Sequence, residues 1–198
     1  MKRKAYHLVF DGHADWETPH AMCAITESGR FDVVTVGFSR APVTTMGGMR
    51  IAPDITTKDL KPEDAAIFLL PGGNQWEQGG NEELEALVRR VHDAGVPVAA
   101  ICGATLSVIR AGLTENRRHT SNGKWYVKAM IPEYRDEPSY VEALAVTDGH
   151  LITASGLGSI EFGREVIRLL GIYNEALTRE WFEMHKNGVI PARYQTTQ

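Results

Sequence analysis

Apolar residues along the chain fall into two rhythms that alternate from one end to the other. Short runs with nearly every position apolar or β-branched predict strands, and longer stretches with apolar residues three and four apart predict helices. Lys4 to Phe10 reads as a first strand. Thr18-Pro19 has the form of a helix start, with threonine as the cap and proline at the first helical position. That helix is expected to run to about Ser28 and stop at Gly29. Phe31 to Val36 is rich in β-branched residues and predicts a second strand ending at Gly37. Pro42 to Pro53, with Gly47-Gly48 at its centre, carries a hairpin signal.

Ala65 to Leu70 is apolar at every position, the pattern of a strand buried on both faces of a parallel sheet. It ends in a tight loop, Pro71-Gly72-Gly73-Asn74. Glu82 to Ala94 predicts a helix, with Leu84, Leu87, Val88 and Val91 at helical spacing and Gly95-Val96-Pro97 ending it. The apolar run Val96 to Ile101 is followed by the helix-compatible run Ala104 to Arg110. Pro132 to Tyr140 reads as a polar loop. Leu144–Val146 and Leu151–Ala154 flank Thr147-Asp148-Gly149-His150 as a hairpin. Ser159 to Leu170 predicts a helix with Phe162, Val166 and Leu169 on one face, and a last helix follows Gly171 to about Lys186. Strands alternating with helices predict an α/β fold with helices on both faces of a mostly parallel sheet.

The chain's 198 residues fit one domain, expected over 1–198, with room for a sizeable core. A net charge of −4 and two short basic clusters, Lys2-Arg3-Lys4 and Arg117-Arg118, give no footprint for a nucleic acid. The apolar stretch behind Lys4 is too short for a signal peptide, and the uncharged run Val96 to Ile109 is too short to cross a bilayer. A cytoplasmic protein without a membrane partner is expected. Two cysteines, Cys23 and Cys102, suit a reducing compartment. Cys23 lies among Met22, Ala24 and Ile25 and reads as core.

Cys102 carries the most chemistry. Ala100-Ile101-Cys102-Gly103-Ala104 places a nucleophile between a strand and a helix with small residues on either side, as a sharp nucleophile elbow requires. Such a turn lifts the thiol onto a helix N-terminus, which favours thiolate. A buried core cysteine is the alternative. Ligands of open α/β sheets bind at the carboxyl ends of strands. Three such ends are polar or glycine-rich: Asp11 to Glu17, Gly72-Gly73-Asn74 and Cys102-Gly103.

Five segments in order resemble the ThiJ/PfpI family, the superfamily of the Parkinson's-associated deglycase, whose fold is class I glutamine amidotransferase-like. They are Gly12 to Thr18, Leu70 to Asn74, Ala99 to Gly103, Thr120-Ser121-Asn122, and Leu151 to Gly158. The resemblance runs to about Leu170. It implies a flavodoxin-like three-layer sandwich and a homodimer. It also implies that Cys102 is the nucleophile, that Glu17 is the carboxyl contacting its sulfur, and that the Gly73 and Gly103 N–H groups form an oxyanion hole. Two fixed N–H donors suit the oxyanion that a thiolate creates at a carbonyl.

The chain departs from the family at its histidines. Gly103 stands where PfpI-type members have histidine, and Asn122 stands where deglycase-like members have one. Asparagine can orient a substrate but cannot act as a base. His13, His20 and His119 are the nearest substitutes, with His13 preferred because it lies in the first site loop. Strand alternation turns His119 away from the side shared by Thr120 and Asn122. Proteolysis is therefore the weakest activity to transfer. Glutaminase chemistry lacks its His-x-Glu pair, since His150 precedes Leu151-Ile152 and His185 precedes Lys186-Asn187. No nucleotide motif, metal-ligand spacing or cofactor signature is present. Trp16, Trp76 and Trp125 lie in or just after the site loops, either walling a narrow pocket for a small-molecule substrate or packing the loops onto the sheet. The expected function is cysteine-dependent chemistry, glyoxalase-, deglycase- or hydrolase-like, on a small carbonyl or acyl compound. The alternative is a redox-responsive protein that senses through Cys102 oxidation.

Overall fold

A computed structural model describes residues 2–79 and 81–195. Its centre is a seven-stranded sheet built from β1 (Arg3–Leu8), β2 (Phe31–Gly37), β5 (Ile55–Thr56), β6 (Ala65–Leu70), β7 (Val98–Ile101), β8 (Ala145–Asp148) and β9 (Leu151–Ala154). The spatial order is β5-β2-β1-β6-β7-β9-β8. All neighbours pair in parallel except β8 with β9, which form the antiparallel hairpin expected around Gly149. Two short strands, β3 (Val43–Thr44) and β4 (Arg50–Ile51), form the other expected hairpin, apart from the main sheet.

Side-chain alternation explains why β6 is apolar throughout. Phe68 and Leu70 join one core, together with Tyr6, Leu8, Val98 and Ala100. Ile67 and Leu69 point the other way and join Ala5, Ala99, Ile101 and Ile152. The first core is closed by α2 (Glu82–Asp93), through Leu84, Leu87, Val88 and Val91, and by α3 (Ala104–Arg110). The second is closed by α1 (Pro19–Glu27), through Ala21 and Ile25, and by α5 (Ser159–Leu169), through Phe162 and Val166. A strand with a core on each face has no position where a polar side chain could reach water. α6 (Glu175–Asn187) packs outside α5 and seats Trp181 against Ala24 and Ile167.

Three features differ from the sequence reading. Cys23 is exposed rather than core, because α1 turns Ala21, Ala24 and Ile25 toward the protein interior and leaves Cys23 on its outer side. α4 (Lys124–Met130) has no counterpart in the reading: it is two turns long and buries only Tyr126 and Val127. β5 is two residues long and pairs with Val36 and Gly37, too short to leave a period in the sequence.

The chain leaves β1 toward β2 on one side and later returns through β6 on the other, so a crevice opens at the carboxyl ends of β1 and β6. β7 and β9 follow β6 in the sheet. The loops after these four neighbouring strands, beginning at Val9, Pro71, Cys102 and Ser155, therefore meet at one end of the sheet.

Candidate active site

Cys102 sits at the tip of β7 with φ of 60°, a left-handed conformation that costs a non-glycine residue about 1–3 kcal/mol. The surroundings hold it there. Its N–H donates to the Ala154 carbonyl at 2.9 Å, extending the β7–β9 ladder by one rung. Its carbonyl accepts from the Thr105 N–H at 3.1 Å and from the Thr105 hydroxyl at 2.6 Å. The Thr105 hydroxyl also shares a 2.6 Å hydrogen bond with that of Ser121. The turn thus aims the half-buried thiol back over the ends of the strands.

Glu17, the last residue of its loop before the Thr18 cap, is 1% exposed. Its Oε2 accepts from the Gly72 N–H at 2.6 Å, and its carboxyl faces the Cys102 thiol. Burial pushes the Glu17 carboxyl up to about 7, against the opposing pull of the Gly72 N–H and the thiol. Burial, followed by the charge of Glu17, pushes the Cys102 thiol up to about 11, opposed by N–H groups of Asn122 and Gly103. Each anion raises the cost of the other, so the pair loses its protons in two steps and holds a single proton between about pH 7 and about 11.

Asn122 spans the next two loops. Its Oδ1 accepts from the Gly156 N–H at 2.9 Å, which fixes the amide so that Nδ2 donates to the Cys102 sulfur at 3.3 Å. Glycine is required at both backbone approaches to the pair. A Cβ on Gly156 would lie 2.9 Å from Sγ and 3.1 Å from Glu17 Oε1, and one on Gly72 would lie 2.6 Å from Glu17 Oε2 and from Cys102 Cβ. A cleft of about 310 Å³ opens beside Asn122, lined by Ser121, Gly123, Ala143, Leu144 and Ser155 among others. The chain that builds this thiol–carboxyl pair matches a family model described as the DJ-1/PfpI family over residues 3–169.

The chain belongs to the DJ-1/PfpI family.

A Bacillus subtilis relative named uncharacterized protease YoaZ is 36% identical, with 93% of this chain and 91% of that protein covered. A Thermococcus kodakarensis relative named deglycase TK1284 is 27% identical over 84% of this chain and 99% of its own. The crystal structure of a ThiJ/PfpI family protein from Bacillus anthracis superposes with a TM-score of 0.89 at 32% identity, covering 96% of this chain and 92% of that one. The flavodoxin-like sandwich expected from the sequence is the DJ-1/PfpI fold.

Of the residues singled out in the sequence, this DJ-1/PfpI chain brings Cys102, Glu17 and Asn122 into contact. Gly73 and Gly103 are neighbours, since a Cβ on Gly103 would meet the Gly73 carbonyl at 3.0 Å. A single antiparallel bridge also joins Gly73 to His13. The histidines go elsewhere. His13 is buried with Nδ1 against the Phe10 carbonyl at 2.7 Å, holding its own loop in shape. His20 packs against Trp181 and His185 at α6. His119 bonds the Tyr134 hydroxyl at 2.6 Å and the Arg117 carbonyl at 2.8 Å. No hydrogen bond joins any of the three to Cys102 among the described residues, and His13 Nδ1 is engaged by the Phe10 backbone within its own loop.

Two further expectations are corrected. The Cys102 thiol at the start of the two-turn α3 is pushed up rather than down, by burial and then by the facing Glu17 carboxyl. Trp76 is fully buried, donates to the Pro71 carbonyl at 2.9 Å and stands edge-on to Phe10, so it packs the loop and walls no pocket. Trp16 and Trp125 are exposed. The roles of Gly72 and Gly156 were not read from the sequence. Both lay inside the resembling segments, but nothing in a one-dimensional pattern says which glycine of a pair faces the sulfur.

Proposed function

We propose that the protein is a cysteine-dependent enzyme acting on a small carbonyl or acyl substrate. The observation that carries this reading is the Cys102 thiol set against the buried Glu17 carboxyl, both within reach of one point beside Gly156, with Asn122 and Gly103 N–H groups facing the sulfur. Relatives named as deglycases support the carbonyl side of the reading.

In the proposed reaction the sulfur lone pair forms a bond to the carbonyl carbon while the thiol proton moves to Glu17. The C=O π electrons move onto oxygen, where the Gly73 and Gly103 N–H groups stabilise the oxyanion. With an aldehyde, Glu17 returns its proton to that oxygen and a hemithioacetal results. With an acyl compound, the oxyanion collapses, the bond to the leaving group breaks, and Glu17 protonates the departing atom. Water then gives a proton to Glu17, its oxygen attacks the thioester, and the sulfur leaves, recovering the proton. A carboxyl pushed up to about 7 suits both directions of transfer at neutral pH. No histidine is needed, which accounts for Asn122 at the family's histidine position.

A small-molecule substrate, a homodimer and a cytoplasmic setting belong to the same reading. No helix among the described residues is long and apolar enough to cross a membrane. The redox alternative uses the same Cys102 thiol and predicts selective peroxide oxidation of Cys102 over Cys23; equal reactivity of the two would count against it.

The test compares wild type with Cys102→Ala on methylglyoxal and on a panel of activated esters and amides. Turnover lost in Cys102→Ala is expected. Undiminished turnover in that variant would refute the reading.

A further inference from the structure

Three large apolar side chains stand in solvent on the loops that meet at Cys102. Trp16 is 51% exposed, Trp125 73% and Leu157 85%. Trp16 immediately precedes Glu17, Leu157 immediately follows Gly156, and Trp125 lies on the first turn of α4, just past Asn122. The loops are tied together through the reactive pair: Asn122 joins Gly156 to the sulfur, and Glu17 accepts from Gly72 and faces the same thiol. The Trp125 indole lies against Gly123, at the lip of the cleft beside Asn122. The three side chains stand outside the cleft's lining, on residues next to those of the reactive pair and the cleft, and exposed apolar side chains so placed mark a binding surface.

The polar groups of the cleft are already engaged. The Ser121 hydroxyl bonds Thr105, the Thr120 hydroxyl donates to the Ala143 carbonyl, and the Ser155 hydroxyl accepts the Leu157 N–H. Glu142, exposed on the cleft wall, is the exception, so a ligand meets its carboxylate together with Ala143, Leu144 and backbone. At about 310 Å³ the cleft has room for on the order of ten water-sized groups, more than a three-carbon dicarbonyl fills.

We propose that this rim and cleft receive an apolar arm of the substrate, so that the preferred compounds are acyl or carbonyl electrophiles bearing an extended alkyl or aryl substituent. The proposal rests on Cys102 being the nucleophile. The arm makes no covalent contact and lies along Leu157 and Trp125 while the carbonyl carbon is held at the sulfur.

The experiment measures kcat/KM for p-nitrophenyl acetate, butyrate and hexanoate. Burial of a methylene is worth about 0.8 kcal/mol when complete, or about fourfold, and about twofold when half complete. A rise of about two- to fourfold per methylene is therefore expected in wild type. Leu157→Ser and Trp125→Ser are expected to flatten that slope. A flat series in wild type, or the same slope in both variants, overturns the proposal. So does sedimentation showing a dimer that both variants dissociate, because a second copy of the chain then covers the rim. If no ester shows Cys102-dependent turnover, the nucleophile reading has failed by itself. The rim is then tested by tryptophan fluorescence titration of Cys102→Ala with butyramide and hexanamide. Tighter binding of the longer amide sustains the rim as an apolar subsite, and equal binding overturns it.

Discussion

Replacing Glu17 by glutamine removes a titrating group from the interior while keeping its shape and its ability to accept from the Gly72 N–H. The native carboxyl binds its proton up to about pH 7, whereas the ordinary value is 4.5. Between those limits the folded chain holds a proton that the unfolded chain has lost. Stability from this group is therefore complete below about pH 4.5 and falls as pH rises to about 7. At about 1.4 kcal/mol per pH unit, that interval corresponds to a loss of about 3 kcal/mol, fully in place by pH 8. Glutamine does not titrate and escapes it. Glu17→Gln is thus expected to match wild type at pH 4.5 and to exceed it at pH 8 by about 3 kcal/mol, or roughly 6–12 °C in Tm for a chain of this size. The assay is thermal unfolding followed by circular dichroism at both pH values, with urea denaturation as an independent measure. A stability difference that is the same at pH 4.5 and pH 8 would refute the claim that burial holds the Glu17 proton. The same variant is expected to lack catalysis, since glutamine accepts no proton from the thiol, so the substitution separates stability from activity in opposite directions.

Alkylation of Cys102 by iodoacetamide, followed by peptide mass spectrometry, is expected to rise with pH in two stages in wild type, near about 7 and about 11, and in one stage in Glu17→Gln; superimposable profiles would contradict the shared proton. Gly156→Ala places a methyl 2.9 Å from the sulfur and is expected to cost about 1–3 kcal/mol in urea unfolding and to abolish turnover; a variant as stable and active as wild type would show that the two loops separate freely. Asn122→Leu removes an N–H from the sulfur and leaves the Gly156 N–H without its acceptor, so kcat is expected to fall more than KM rises, and an unchanged kcat would count against the clamp. Cys102→Gly is expected to be more stable than Cys102→Ala by about 1 kcal/mol, because only glycine adopts a φ of 60° without strain; the reverse order would mean that the turn relaxes once the thiol is gone.

The parts of the fold legible in the sequence were those in which one local pattern and one tertiary role coincide. Ala65 to Leu70 could be nothing but a strand between two cores, and the spacing of Leu84, Leu87, Val88 and Val91 had one helical face to fill. α4 escaped because Tyr126 and Val127 are adjacent, so its burial has no period. Cys23 was misplaced because helical spacing says which residues share a face but not which face meets the sheet. At the site, Cys102 was visible because an elbow needs small neighbours on both sides. Glu17 was visible only through resemblance, since a carboxylate before a helix has the same local pattern whether it is solvated or, as here, sealed beneath a thiol. The destinations of His13, His20 and His119 depend on contacts with Phe10, Trp181 and Tyr134, none of which leaves a trace in local spacing.

The positions that assemble around the sulfur come from loops after four different strands and, for Asn122, from the loop before α4, running from Glu17 near the start of the chain to Gly156 after β9. None of them meets another until β1, β6, β7 and β9 lie side by side. A chain still emerging from the ribosome can therefore have completed Cys102 and its helix while lacking β9, and with it the acceptor for the Cys102 N–H and the loop that closes over the thiol. Until residue 156 has been synthesised and folded into place, the cysteine has neither its strained turn nor its completed surroundings. The thiol–carboxyl pair and the Asn122 clamp around it exist only with the finished sheet.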